Sequence, residues 1–173
     1  MIQRFTFGCP LPTESVVLPV EPAAAVPYLT AEPDGSWSFS LAEDAVVYGL
    51  GEMPRGINKR GWHYVADNTD ESHHGENRLS YYGAHNFLLI DGGAGRSVFG
   101  VFVDFPGKVF YDIGYTRHDR LTFRTEEPDY DLYILTGDSP NAVCTEFRKL
   151  IGHSYIPPKW AFGFAQSRWG YKT

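Results

Sequence analysis

A chain of 173 residues with 15 basic and 21 acidic side chains carries a net charge of −6, so it lacks the basic stripe that nucleic-acid backbones require. Its 43% hydrophobic and 16% aromatic content, with 18 glycines and 12 prolines, excludes a disordered chain and favours a strand-rich fold with many turns. Cys9 and Cys144 stand far apart without metal-ligand spacing, which argues against a disulfide framework or a zinc site. Met1 to Gly8 has no leader-like apolar run and no stretch nears the ~20 apolar residues of a membrane helix, so the expected residence is cytoplasmic.

In chain order, residues 4–7, 16–20, 26–30 and 37–41 are short extended runs, expected to form meander strands. Pro10, Pro12, Pro19, Pro22, Pro27 and Pro33 punctuate them, and a residue without an N–H belongs to edges and connections. Asp34-Gly35 is a hairpin turn signal. Next, Val46-Val47-Tyr48-Gly49-Leu50-Gly51-Glu52 runs into Asn58-Lys59-Arg60-Gly61. Neither phosphate-loop spacing is met, since Pro54 and Ile57 occupy the required glycine and lysine positions. The glycines instead predict a tight bend where one backbone crosses another closely.

Residues 64–70 (Tyr-Val-Ala-Asp-Asn-Thr-Asp) lead into Glu71-Ser72-His73-His74-Gly75-Glu76 and then Leu79-Ser80-Tyr81-Tyr82-Gly83-Ala84-His85-Asn86-Phe87. Adjacent histidines point apart and match no metal motif, so this stretch reads as a solvent-facing or ligand-facing loop, with no metal and no cofactor. Residues 86–91, 97–104, 108–112, 120–124 and 130–136 are five clean strand candidates. Val98 to Val103 is apolar at nearly every position, so both of its faces should be covered. One helix is expected over 139–151, with Ser139 as N-cap, Pro140 at the first position, Gly152 as terminator and an apolar stripe of Ala142, Val143, Phe147, Leu150 and Ile151. Glu126, Glu127 and Asp129 read as a solvated turn. Finally, Pro157-Pro158 precede Trp160, Phe162 and Phe164 alternating with Ala161, Gly163 and Ala165, the pattern of a buried strand.

Together these motifs resemble glycoside hydrolase family 31, the α-glucosidase and α-xylosidase family. Tyr48-Gly49-Leu50-Gly51-Glu52 with the Asn58 to Gly61 turn is similar to a hallmark of that family's N-terminal domain. Asn68-Thr69-Asp70 resembles its Trp-Asn-x-Asp, with Asp67 where the family has tryptophan. Leu79 to Phe87 resembles Leu-Tyr-Gly-x-x-Pro-Phe, with an insertion and with Asn86 in place of proline. Residues 157–171 look like the opening of the catalytic barrel.

The resemblance implies a mainly β fold: a galactose-mutarotase-like β-sandwich with one C-terminal helix over 1–152. A linker and the first strand of a (β/α)8 barrel would follow over 153–173, the rest of the barrel being absent. It further implies a retaining glycosidase whose two catalytic aspartates, about 5 to 5.5 Å apart, lie beyond Thr173, so no catalytic residue is assigned within 1–173. Asp70 is implied as a pocket-lining sugar ligand and Tyr171 as a wall of the innermost sugar pocket. The implied partners are a glycoside or oligosaccharide substrate and the missing barrel. An apolar 160–173 segment is expected either to pack on the sandwich or to pair with another copy of the chain.

Two other readings remain open at this point. A free carbohydrate-binding module would use Trp37, Trp62 and Tyr81 as a platform. An aldose-epimerase-like sandwich enzyme would need a histidine and a carboxylate converging in a sheet, whereas His63, His73, His74, His85, His118 and His153 all read as turn or loop residues.

Overall fold

Alternation along each strand decides which face it buries. In the strand Arg120–Thr125, Leu121 and Phe123 are buried while Arg120, Thr122 and Arg124 face outward. The computed structural model describes residues 1–24, 29–93, 97–166 and 170. In it the strands are β1 (Ile2–Phe7), β2 (Thr30–Ala31), β3 (Trp37–Ser40), β4 (Val46–Gly51), β5 (Trp62–Ala66), β6 (Ala84–Asp91), β7 (Val98–Asp104), β8 (Val109–Ile113), β9 (Arg120–Thr125) and β10 (Tyr130–Gly137), followed by α1 (Pro140–Ile151). They form two five-stranded antiparallel sheets, sheet A in the order β1-β10-β7-β6-β4 and sheet B in the order β2-β3-β9-β8-β5.

Phe39, Val47, Leu88, Val101, Ile113, Leu121 and Leu132 belong to the core between the sheets. A second core lies on the far face of sheet A, where Leu89, Phe102, Tyr133 and Leu135 meet Val143, Phe147 and Leu150 of α1. This second layer explains why β7 and β10 are apolar on both faces: one face meets sheet B and the other meets the helix. Ser139 caps α1 by accepting a hydrogen bond from the Ala142 amide (3.2 Å), Pro140 opens it, and Gly152 at φ 88° ends it. Phe147 stacks on Phe87 with ring centroids 3.9 Å apart.

Residues 16–20 depart from their expected strand. They form a strap beside α1, whose Leu150 carbonyl accepts from the Val17 and Leu18 amides (2.9 and 3.2 Å). Those donors satisfy an orphan carbonyl at the helix end instead of joining a ladder. The strap is pinned further by Thr13, whose hydroxyl donates to Asp104 (2.7 Å), and by Arg4, which pairs with Asp131 (2.8 Å) and also reaches the Val20 carbonyl (3.5 Å). Of residues 26–30, 26–28 lie outside the described residues, and Thr30 belongs to β2. β5 was not among the expected strands.

Asp104 and Asp131 are cross-strand register partners, and both are buried. Burial, with Asp131's like charge as a lesser contributor, pushes the Asp104 carboxyl above the usual range, against the hydroxyls of Thr13 and Ser15. The folded chain therefore holds this proton more tightly than the unfolded chain does. The resulting stability is present below the unfolded pKa of about 3.9 and is lost as pH rises through the folded value. Asp104→Asn is accordingly expected to stabilise the chain at pH 7, on the order of 1 kcal/mol, with the gain shrinking towards pH 4. Urea unfolding at both pH values checks this, and a less stable variant at pH 7 would contradict it.

The end of the described chain corrects one expectation and narrows another. Residues 159–162 form a 3-10 turn rather than a strand, closed by Ala161 N–H to the Pro158 carbonyl (2.9 Å) and Gly163 N–H to the Trp160 carbonyl (3.0 Å). Nor do residues 160–166 pack on the sandwich, since Trp160, Phe162 and Phe164 are 81%, 74% and 95% exposed. A strand needs a neighbouring ladder, and with none alongside among the described residues, the backbone closes its hydrogen bonds locally. Tyr171 lies outside the described residues.

Candidate functional site: the loop joining the two sheets

β5 is an edge strand of sheet B, and β6 lies in sheet A beside the edge strand β4, so the chain from Asp67 to Gly83 crosses from one sheet to the other. Its base is laced. The Val65 amide donates to the Leu79 carbonyl (3.0 Å) and the Thr69 amide to the Tyr81 carbonyl (3.1 Å). The Asn68 side-chain oxygen takes the Ala84 amide at 2.6 Å, and the Ser80 hydroxyl donates to the Asp67 carbonyl. Asp67, in the position expected for tryptophan, uses its carboxylate to pair with Lys108 of the neighbouring turn (3.1 Å). The loop therefore leaves the sandwich on a fixed stem.

Further out, Glu71 accepts the His73 amide (2.8 Å) and pairs with Arg78 (3.1 Å), while the Tyr81 hydroxyl donates to the Gly75 carbonyl (3.0 Å). The His74 ring lies near both Tyr81 (4.9 Å) and Tyr82 (5.3 Å). Asp70 is exposed beside Tyr82, itself 45% exposed. The Tyr82 phenol is raised above its ordinary value, first by desolvation and then by the charge of Asp70 and a hydrogen bond to it. A carboxylate, a phenol and an imidazole at one loop tip can accept and donate hydrogen bonds to ligand hydroxyls. The geometry brings Asp70 into such a group and leaves Tyr171 unplaced.

The glycine-rich motif and the Asn58 to Gly61 turn are the scaffold beneath this loop. Asn58 accepts from the Val47 and Arg60 amides (3.2 and 3.1 Å), the Lys59 amide reaches the Val47 carbonyl (2.7 Å), and the Gly61 amide reaches Ile113 (2.6 Å). The turn thereby ties β4 of sheet A to β8 of sheet B. Lys59 is buried, its ammonium facing the carbonyls of Met53 and Pro54 (3.5 and 3.3 Å), and desolvation lowers its pKa. The Glu52 amide then hydrogen-bonds the Gly83 carbonyl (2.8 Å), joining scaffold to loop.

Two histidines expected in turns sit on strands instead, His63 on β5 and His85 on β6. Contact with Phe147 and Phe102 (ring centroids 5.6 and 6.2 Å) accompanies the desolvation that lowers the His85 pKa. His63 hydrogen-bonds Asp112 across the β5–β8 pair at 3.0 Å. Burial opposes ionisation of Asp112, yet hydrogen bonds from Thr116, the Tyr115 amide and His63 outweigh it and hold the carboxyl below the usual range. Sequence reasoning missed this pair, although period-2 alternation over Trp62–Ala66 was the signal that could have placed His63 on a strand.

The three aromatics considered as a platform are not arranged as one. Trp37 packs against Phe7 at 5.0 Å, Trp62 carries the Arg55 guanidinium at 4.4 Å, and Tyr81 is turned into the loop.

Two antiparallel sheets packed face to face, with a helix closing one of them and a stem-fixed polar loop joining them, define a mainly β sandwich domain. The sequence profile of the glycosyl hydrolase 31 N-terminal galactose mutarotase-like domain matches residues 20–112, and the chain belongs to that family. It is 34% identical over 138 residues to α-glucosidase 2 of Bacillus thermoamyloliquefaciens, a match covering 78% of this chain and 17% of that enzyme. Against the α-xylosidase XylQ of Lactiplantibacillus pentosus it is 30% identical over 125 residues, covering 72% of this chain and 15% of the relative. A glycoside hydrolase family 31 dextranase of Flavobacterium johnsoniae, solved with glucose, superposes with a TM-score of 0.67 at 25% identity, covering 82% of this chain and 17% of that one. The chain thus matches the N-terminal region of these enzymes and spans under a fifth of their length.

Proposed function

We propose that this chain is the N-terminal sandwich (residues 1–152) of a cytoplasmic retaining α-glycosidase, α-glucosidase-like, that hydrolyses terminal α-linked sugars. Residues 153–173 lead into its catalytic barrel. The sandwich braces the barrel and lends the loop between β5 and β6 to the substrate pocket. The observation that carries this reading is the stem-fixed loop holding exposed Asp70 beside Tyr82, in a chain whose relatives include an α-glucosidase and an α-xylosidase.

In this reading the bond is cut by two carboxylates of the barrel, so the 173-residue chain alone is expected to release no aryl alcohol from an aryl α-glucoside. Turnover above a denatured control would overturn that. Asp70 accepts hydroxyl protons from the sugar, a charged hydrogen bond of roughly 1.5 to 3 kcal/mol. In the enzyme complete with its barrel, Asp70→Ala should lower kcat/KM about tenfold to a hundredfold with the melting temperature unchanged. Wild-type kinetics in that variant would remove Asp70 from the pocket. Tyr171, in the segment leading into the barrel, is assigned the inner wall of the same pocket, and Tyr171→Ala is expected to impair catalysis in the same assay.

A further inference from the structure

The outer face of sheet B is an open, patterned surface. Its register sets side chains in rows that cross the strands. Thr122 is opposite Asp112 and Asp112 opposite His63, so one polar row runs from β9 through β8 to β5, whereas Ser38, opposite Thr122 on β3, is buried and bonded to Glu32 and Arg120. Beside it Arg124 is opposite Phe110 and Phe110 opposite Val65, a second row with apolar character. At about 4.8 Å per strand the polar row is about 10 Å long. The two rows line a groove of about 570 Å³, within the range of small-molecule sites, with Glu32 of the β2–β3 hairpin at one side and Leu79 at the other.

The charges of this groove select its ligand. Three arginines, Arg117, Arg120 and Arg124, stand against three carboxylates, Glu32, Asp34 and Asp112, so the formal charges cancel. Most are already fixed within the protein: Arg120 on Glu32 and Ser38, His63 on Asp112, Arg117 on Asp119. A charged ligand meets no net opposite charge there. A neutral polyhydroxylated ligand meets donors and acceptors held in place at no further ordering cost. The Thr122 hydroxyl makes no hydrogen bond among the described residues, nor does the Arg124 guanidinium, whose Cζ stands over the Phe110 ring 4.0 Å from its centroid. Free donors beside Val65 and the exposed Leu79 suit the two sides of a sugar ring, its hydroxyls and its C–H face.

The geometry points to a second, non-catalytic saccharide surface on the outer face of sheet B, taking a neutral oligosaccharide along the Thr122 to His63 row. It is separate from the β5–β6 loop and does not require that loop to touch substrate. Two-dimensional amide NMR of the 173-residue chain titrated with isomaltotriose, and separately with maltotriose, tests it. Shifts are expected to centre on Thr122, Asp112, His63 and Phe110, with millimolar affinity. Arg124→Ala and Thr122→Val, both outward-facing and checked for an intact fold by their spectra, should each weaken binding about tenfold. Asp70→Ala should leave these shifts unchanged. Absence of shifts on this face with either sugar, shifts confined to residues 67–83, or unaltered affinity in both groove variants would overturn the inference.

Discussion

Arg60→Ala is expected to lower the unfolding free energy by about 3 kcal/mol, the loss of several charge-assisted hydrogen bonds offset in part by water. One guanidinium nitrogen donates to the carbonyls of Ala42, Glu43 and Ala45 at 2.6, 2.9 and 3.0 Å, and the other reaches the His118 carbonyl and ring nitrogen at 2.8 and 3.1 Å. The first three carbonyls belong to the connection that carries the chain from β3 in sheet B to β4 in sheet A, and His118 belongs to the β8–β9 turn. Removing the fork frees both turns from the Asn58 to Gly61 scaffold. At 2 to 4 °C per kcal/mol for a chain of this size, the melting temperature should fall by about 10 °C. Arg60→Lys should recover less than half, because one ammonium cannot span two turns in the planar geometry of a guanidinium. A melting temperature within about 2 °C of the parent in Arg60→Ala would show that the clamp is not limiting.

How far the chain could be read in advance depended on whether the relevant signal was local. The five strands from Ala84 to Gly137 and the helix of Pro140–Ile151 were legible because alternation, turn residues and caps are written within each element. β5 was missed, since Trp62–Ala66 was read only as the approach to the loop, and its pairing to β8 is a distant relation. The strap of residues 16–20 and the tail at 159–162 failed for the same reason from the other direction. Both carry strand-like residues, and what decides their form is the neighbour: a helix-end carbonyl for the strap, and no ladder among the described residues for the tail. Within the candidate site, Asp70 was legible through the motif resemblance. The Tyr82 and His74 rings around it were not, because the loop folds back on itself across Gly75. Arg60 was read as part of a turn, and nothing in its sequence neighbours announces that it clasps residues 42–45 and 118.

Gly49→Ala should cost more than 3 kcal/mol, a value reached when backbone strain and a backbone clash coincide. The sequence reading of this motif as a close backbone crossing is met here in detail. Gly49, Leu50 and Gly51 all have positive φ, 121°, 67° and 75°, and the β4–β6 register shifts between Gly49 and Gly51. That bulge turns Leu50 fully into the inter-sheet core. A Cβ on Gly49 would fall onto the Phe87 carbonyl oxygen and within 3.1 Å of the Leu88 Cα, both backbone atoms of the paired strand that cannot rotate away. To admit it, β4 must separate from β6, which would loosen Leu50 and the Glu52 to Gly83 link that joins scaffold to loop. Gly56→Ala is the matched control: its added Cβ meets nothing within 4 Å and its φ is not in the left-handed region, so its stability should stay within about 0.5 kcal/mol of the parent. Chemical denaturation of both variants decides the matter. Equal stability of the two would mean that the bulge tolerates a side chain and that the glycine is not held there by the crossing.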